Sequence, residues 1–136
     1  MVKQIVRDQL FLRQKSEPAT EADKQVVTDL VDTLKANRGR CVGMAANMIG
    51  ERKQIIAVAV GPVIFPMINP VITKKSGEYE AEEGCLSLDG SRKCKRYRQI
   101  EVDYLDRDFK PQHGEYSKLT AQIIQHEIQH FSGDLI

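Results

Sequence analysis

The stretch IIQHEIQHFSGDLI, residues 123–136, carries His126-Glu127-Ile128-Gln129-His130, two histidines four apart with a glutamate after the first. On a helix, residues i and i+4 stand one above the other, so both imidazoles can reach one point and share a metal ion. Glu127 is turned about 100 degrees from His126. A carboxylate there lies beside the metal without ligating it, the position of a general base acting on a polarised water. Only six residues follow His130 and none is an obvious ligand, so a third donor has to come from upstream.

The same stretch fixes the last element. A helix is predicted from about Lys118 to Phe131, with Ser117 or Thr120 near its start and Gly133 as its stop. Leu119, Ile123 and Ile124 make its early turns apolar, and histidines buried among them need polar partners or a metal. A solvated helix can also carry H-E-x-x-H by chance, so the motif alone leaves both readings open.

Upstream, TEAD (20–23) offers an N-cap for a helix whose Val26, Val27, Leu30, Val31 and Leu34 share one stripe, with Asn37-Arg38-Gly39 as its C-cap. QIIAVAV (54–60) reads as a buried strand and FPMINPVIT (65–73) as an edge or irregular strand broken by two prolines. GEYEAEEG (77–84) shows strand character only around Tyr79. QIEVDYLD (99–106) alternates as a half-buried antiparallel strand does, and RDFKPQHGEYS (107–117) reads as turn material. Residues 1–19 read as an irregular segment with an apolar patch at Leu10, Phe11 and Leu12. The expected class is α+β, mostly antiparallel sheet around the C-terminal helix with one N-terminal helix.

At 136 residues the chain is expected to be one domain, able to bury a core without disulfides. Hydrophobic residues make up 41% and charged residues 29%, with a net charge of +1, which gives no argument for a nucleic-acid or membrane partner. SRKCKRYR (91–98) is the densest basic run and reads as a solvated loop or edge strand. No apolar run marks a secretory leader or reaches membrane-spanning length, so a cytoplasmic protein with three reduced cysteines is expected.

One of those cysteines, Cys85 in EEGCLSL (82–88), follows Gly84 and precedes Leu86. A lone cysteine before leucine is also an ordinary core residue. A thiolate with two imidazoles is nonetheless an accepted catalytic donor set that leaves one metal position open.

EGCLS followed by an H-E-x-x-H helix resembles the peptide deformylases. GMAANMIG (43–50) looks like the glycine–hydrophobic–Ala-Ala–x–Gln segment of that family, and YLDRDFKP (104–111) resembles the strand and turn before its metal helix. The resemblance runs from about Asp8 to Gly133. It implies that Cys85, His126 and His130 hold a divalent metal, Fe2+ in the cell, with Zn2+ or Ni2+ found after purification. Glu127 is implied as general acid/base in removing the N-formyl group from N-formyl-methionyl peptides, with a place near the ribosome. The Leu86 N–H would face the oxyanion, and Gly43 would let the peptide pair as an added strand. Leu119, Gln122 and Ile123, on the His126 face, would line the side-chain pocket.

The chain departs from the family at Met48, where a glutamine would donate to the oxyanion, and a thioether cannot donate. Neighbouring Asn47 carries an amide one residue early. Gln129 replaces a usual Asp, and family members usually continue beyond the point reached by Ile136. Two further readings stand beside the deformylase: a peptide-binding protein that keeps the metal without turnover, and a zinc peptidase, which EGCLSL argues against.

Overall fold

The computed structural model describes residues 1–136. Five strands form one sheet in the order β1-β2-β3-β4-β5, every neighbour antiparallel. They are β1 (Gly43–Ala45), β2 (Ile55–Val60), β3 (Val63–Cys85), β4 (Leu88–Leu105) and β5 (Pro111–Ser117). The helices are α1 (Gln9–Leu12), α2 (Lys24–Ala36) and α3 (Lys118–Gln129), the last followed by a 3-10 turn over His130–Ser132. The class is α+β, as expected.

Successive residues of β2 point to opposite faces, and both faces are covered. Ile55 and Ala57 pack with Val27, Leu30, Val31 and Leu34 of α2. Ile56 and Val58 pack with Ala121, Ile123 and Ile124 of α3. That two-sided burial is why the strand reads as an unbroken apolar run rather than an alternating one. The α2 stripe is therefore core, and α3 is pressed against the opposite face of the sheet.

Several boundaries differ from expectation. The stretches 65–73 and 77–84 belong to one 23-residue strand, β3, paired with β2 at one end and with β4 along its length. Pro70 sits where the register shifts between Ile68 and Val71, with Asn69 at a positive φ of 51°, and Pro66 precedes the pairing with β4, which begins at Ile68. The acidic residues 78–83 form strand because they face the basic run of β4: Glu78 meets Lys95 at 3.5 Å and Glu80 meets Lys93 at 3.9 Å. SRKCKRYR is strand beyond the reach of β5, which pairs with β4 only from Gln99 to Leu105, and toward α3 the Tyr97 N–H and carbonyl are bonded by the Gln125 side chain instead. Residues 111–117, read as turn, form β5, with Pro111 as its first residue, where a missing N–H costs no ladder bond. Residues 9–12 form one helical turn rather than irregular chain, and only Leu12 of the apolar patch is buried. The cap of α2 falls within the expected Asn37-Arg38-Gly39, at Asn37, whose N–H binds the Leu34 carbonyl and whose side-chain amide binds the Thr33 carbonyl.

α3 starts at Lys118 and ends where expected, with Gly133 at φ +80° as the stop. Leu119 is the exception to its buried apolar face, being 61% exposed. No helix is long and apolar enough to cross a membrane.

Candidate metal centre

Cys85 is the last residue of β3. The hairpin that follows has only Leu86 and Ser87 between paired Cys85 and Leu88, and Asp89-Gly90 is accommodated as a bulge with Gly90 at φ +75°. This tight turn holds the thiol over α3. One ligand atom each from Cys85, His126 and His130 lies within 4.8 Å of the others, and Cys85 Sγ is 3.6 Å from His130 Nε2. The imidazole centroids are 5.0 Å apart at an interplanar angle of 77°.

The donors fit a divalent cation on the protein's own geometry. His126 presents Nδ1 to Glu83 Oε1 at 2.7 Å, so Nδ1 carries the proton and Nε2 is left to ligate. Cys85 and His130 already face one another through Sγ and Nε2. A thiol with two imidazoles suits iron, nickel or zinc.

Charges in this cluster are strongly perturbed. Burial works against the charged form of His126, but Cys85 and Glu83 beside it prevail and raise its pKa to about 10. Burial, with the His126 charge second, pushes His130 down to about 3. Burial raises Glu127 to about 7, its largest cause, with the His126 charge opposing. Glu127 Oε1 sits 3.7 Å from His130 Nε2, fully buried and without a hydrogen bond. A carboxylate so placed is beside the ligand cluster and not part of it.

Glu83 is the residue that sequence reasoning missed. Two positions before Cys85 on an extended strand, it projects from the same face. Its carboxylate takes bonds from His126, from Arg96 at 2.7 to 3.2 Å and from Gln122 Nε2 at 2.8 Å. Burial opposes ionisation, but these bonds, His126 foremost, hold its pKa well below the carboxylate range. Arg96 sits in the basic run on β4, 4% exposed, and also donates to Gln129 Oε1 at 2.7 Å. The usual Asp that Gln129 replaces is thus not the charge beside His126; Glu83 is.

A cleft of about 630 Å³ opens beside this cluster. Gly43, Met48, Cys85, Leu86, Leu119, Gln122, Ile123, His126 and Glu127 all line it, and His130 sits behind, 2% exposed. Gly43 has a sharper reason than the expected backbone approach: a Cβ there would lie 2.6 Å from Ile123 Cγ2 and 2.9 Å from Glu127 Oε2. Gln122 faces the cleft and is anchored to Glu83 rather than turned to solvent. Met48 Sδ accepts the Ala45 N–H at 3.5 Å. Asn47 does not substitute for it: it is absent from the cleft wall, and both its amide atoms are buried without partners. Arg7 was also missed. It reaches across to the Leu86 carbonyl at 3.1 Å and to Asp89 at 2.7 Å, a contact that only the tertiary fold creates.

Comparison with known proteins adds an independent line. The family profile described as Polypeptide deformylase matches residues 2–136. A peptide deformylase of Clostridium beijerinckii is 59% identical over 136 residues, covering 100% of both chains. One from Thermoanaerobacter pseudethanolicus is 38% identical over 91% of this chain and 79% of its own. Among solved structures, a peptide deformylase from Legionella pneumophila superposes with a TM-score of 0.88 at 31% identity, over 99% of this chain and 83% of that one. Motif order, sheet topology and sequence identity along the whole chain agree: the chain belongs to the polypeptide deformylase family.

Proposed function

We propose that the protein hydrolyses the N-formyl group from the N-terminal formyl-methionine of nascent peptides, with Cys85, His126 and His130 holding one divalent metal. Fe2+ is the ion proposed for the cell, with Zn2+ or Ni2+ as substitutes in purified protein. The observation that carries the reading is the three-donor cluster within 4.8 Å with the buried Glu127 carboxylate 3.7 Å from one donor, on a cleft wide enough for a peptide end. When bound, the cation supplies Lewis acidity toward water and the formyl oxygen.

The remaining steps fall to the chain. Glu127 takes a proton from the attacking water and delivers it to the departing amine nitrogen. The water oxygen bonds to the formyl carbon, the C–N bond breaks, and formate leaves. The Leu86 N–H faces the formyl oxygen as negative charge develops. β1 is the edge of the sheet, so its outer side can take the peptide as an added strand at Gly43. Leu119, Gln122 and Ile123 line the space for the methionine side chain. Such substrates emerge from the ribosome, so the proposal includes action in the cytoplasm, close to translation.

The test is formate release from a formyl-methionyl peptide by anaerobically prepared, iron-loaded protein. Glu127→Gln is expected to keep about one metal per chain and to lose at least about a hundredfold in rate. An active Glu127→Gln protein would remove the carboxylate from the mechanism, and an inert iron-loaded parent would overturn the reading.

A further inference from the structure

Gln122 lies one helical turn before His126 on α3 and lines the cleft with Leu119 and Ile123. Its side chain makes one hydrogen bond, from Nε2 to Glu83 Oε2 at 2.8 Å. Glu83 is in turn held by Arg96 and His126, so the carboxamide is oriented by a fixed partner. An amide nitrogen carries two hydrogens, and Glu83 uses one. The second N–H has no protein partner. A methionine thioether is a weak acceptor and leaves that donor poorly used. A sulfoxide oxygen, on the same side chain at the same sulfur, is a strong one.

We infer that the side-chain pocket accepts methionine sulfoxide as well as methionine, with Gln122 Nε2 donating to the sulfoxide oxygen. The inference rests on the deformylase reading of the site. The reaction is the same hydrolysis: water adds to the formyl carbon, the C–N bond breaks, formate leaves, and the amine takes the proton. The sulfoxide is unchanged throughout, so no oxidant or reductant enters.

The experiment compares formyl-Met-Ala-Ser with the same peptide carrying methionine sulfoxide, each sulfur epimer separately, by formate release from metal-loaded protein. For the preferred epimer, kcat/KM is expected within about tenfold of the methionine peptide. Gln122→Leu should lower the sulfoxide-to-methionine ratio by about tenfold or more, mainly through KM, because a buried S=O loses its donor. Loosening of Glu83 in that variant affects both peptides and cancels in the ratio. Gln122→Met, which keeps the chain length, repeats the measurement should the leucine variant fold poorly. The inference is overturned, with the deformylase reading intact, if the parent favours methionine over both epimers by more than about tenfold, or if the ratio is unmoved by the substitution. Failure to turn over either peptide overturns both.

Discussion

Met48 and Gly43 stand on the same short segment and constrain the reaction in opposite ways. Met48 Sδ accepts the Ala45 N–H at 3.5 Å while lining the cleft, so the thioether takes a hydrogen bond where a donor would serve the oxyanion. A glutamine there can accept the Ala45 N–H through Oε1 and turn Nε2 toward the cleft. Met48→Gln should therefore raise kcat by up to about a hundredfold, the scale of one oxyanion donor. Metal content should not change, and formate release with elemental analysis checks both. A folded, metal-loaded variant with unchanged kcat would show that the Leu86 N–H suffices. Gly43→Ala should do the reverse. A methyl 2.9 Å from Glu127 Oε2 and 2.6 Å from Ile123 Cγ2 must displace the carboxylate or the helix face. Activity should fall about tenfold or more, the sensitivity of catalysis to misplacement on the ångström scale, and by more than any change in Tm would explain. Parent-level kcat in Gly43→Ala would mean that Glu127 yields without consequence.

At the scale of elements, what the sequence revealed depended on the range of the pairing. The α2 stripe, the β2 run and α3 with its glycine stop are local periodicities, and all three appear near their expected bounds. The β3–β4 hairpin did not, because its strand character lies in complementarity between two segments rather than in either alone. Glu78, Glu80 and Glu83 reach Lys95, Lys93 and Arg96 diagonally across the hairpin, and Asp89-Gly90 marks the bulge beside its Leu86-Ser87 turn. An acidic run, a D-G dipeptide and a basic run in succession were the available signal. The clustering of Cys85 with His126 and His130 was legible from Cys85 and H-E-x-x-H, whereas Glu83 and Arg96 needed the fold that sets them against His126. β5 was hidden in the same way, and its seam with β4 carries a pH-dependent contact. His113 lies between Asp103 and Glu101, with Lys74 also pairing to Glu101 at 3.8 Å. The Asp103 bond first, then the Glu101 bond, raises the His113 pKa above 6.5. Because the folded value is the higher one, the contribution to stability is complete below about pH 6.5 and is lost as pH rises through the folded pKa. The Tm difference between parent and His113→Asn should therefore be largest near pH 5.5 and shrink toward about pH 8.5. A difference that grows with pH would contradict the assignment.

Across the whole molecule, the candidate centre ties together parts that the backbone keeps separate. Cys85 ends β3, while His126 on α3 and His130 at its C-terminal cap come more than forty residues later in the chain. The apolar packing of α3 covers its early turns through Ala121, Ile123 and Ile124, and the ligand turn beyond is held by the Glu83–Arg96–Gln129 bonds. A cation bound only by the folded arrangement adds stability by mass action, about 2.7 kcal/mol at a hundredfold excess over Kd. For a chain of this size each kcal/mol shifts Tm by a few degrees, so removing the metal should lower Tm by on the order of 10 °C. Cys85→Ala breaks the donor set and should melt at one temperature with or without chelator, whereas Glu127→Gln should retain the full chelator-dependent shift. Scanning calorimetry on the three proteins, each with and without chelator, separates ligand from non-ligand in a property that does not depend on turnover. If Cys85→Ala still shows the parent's shift, the thiol is not a ligand; if Glu127→Gln loses it, the carboxylate is one.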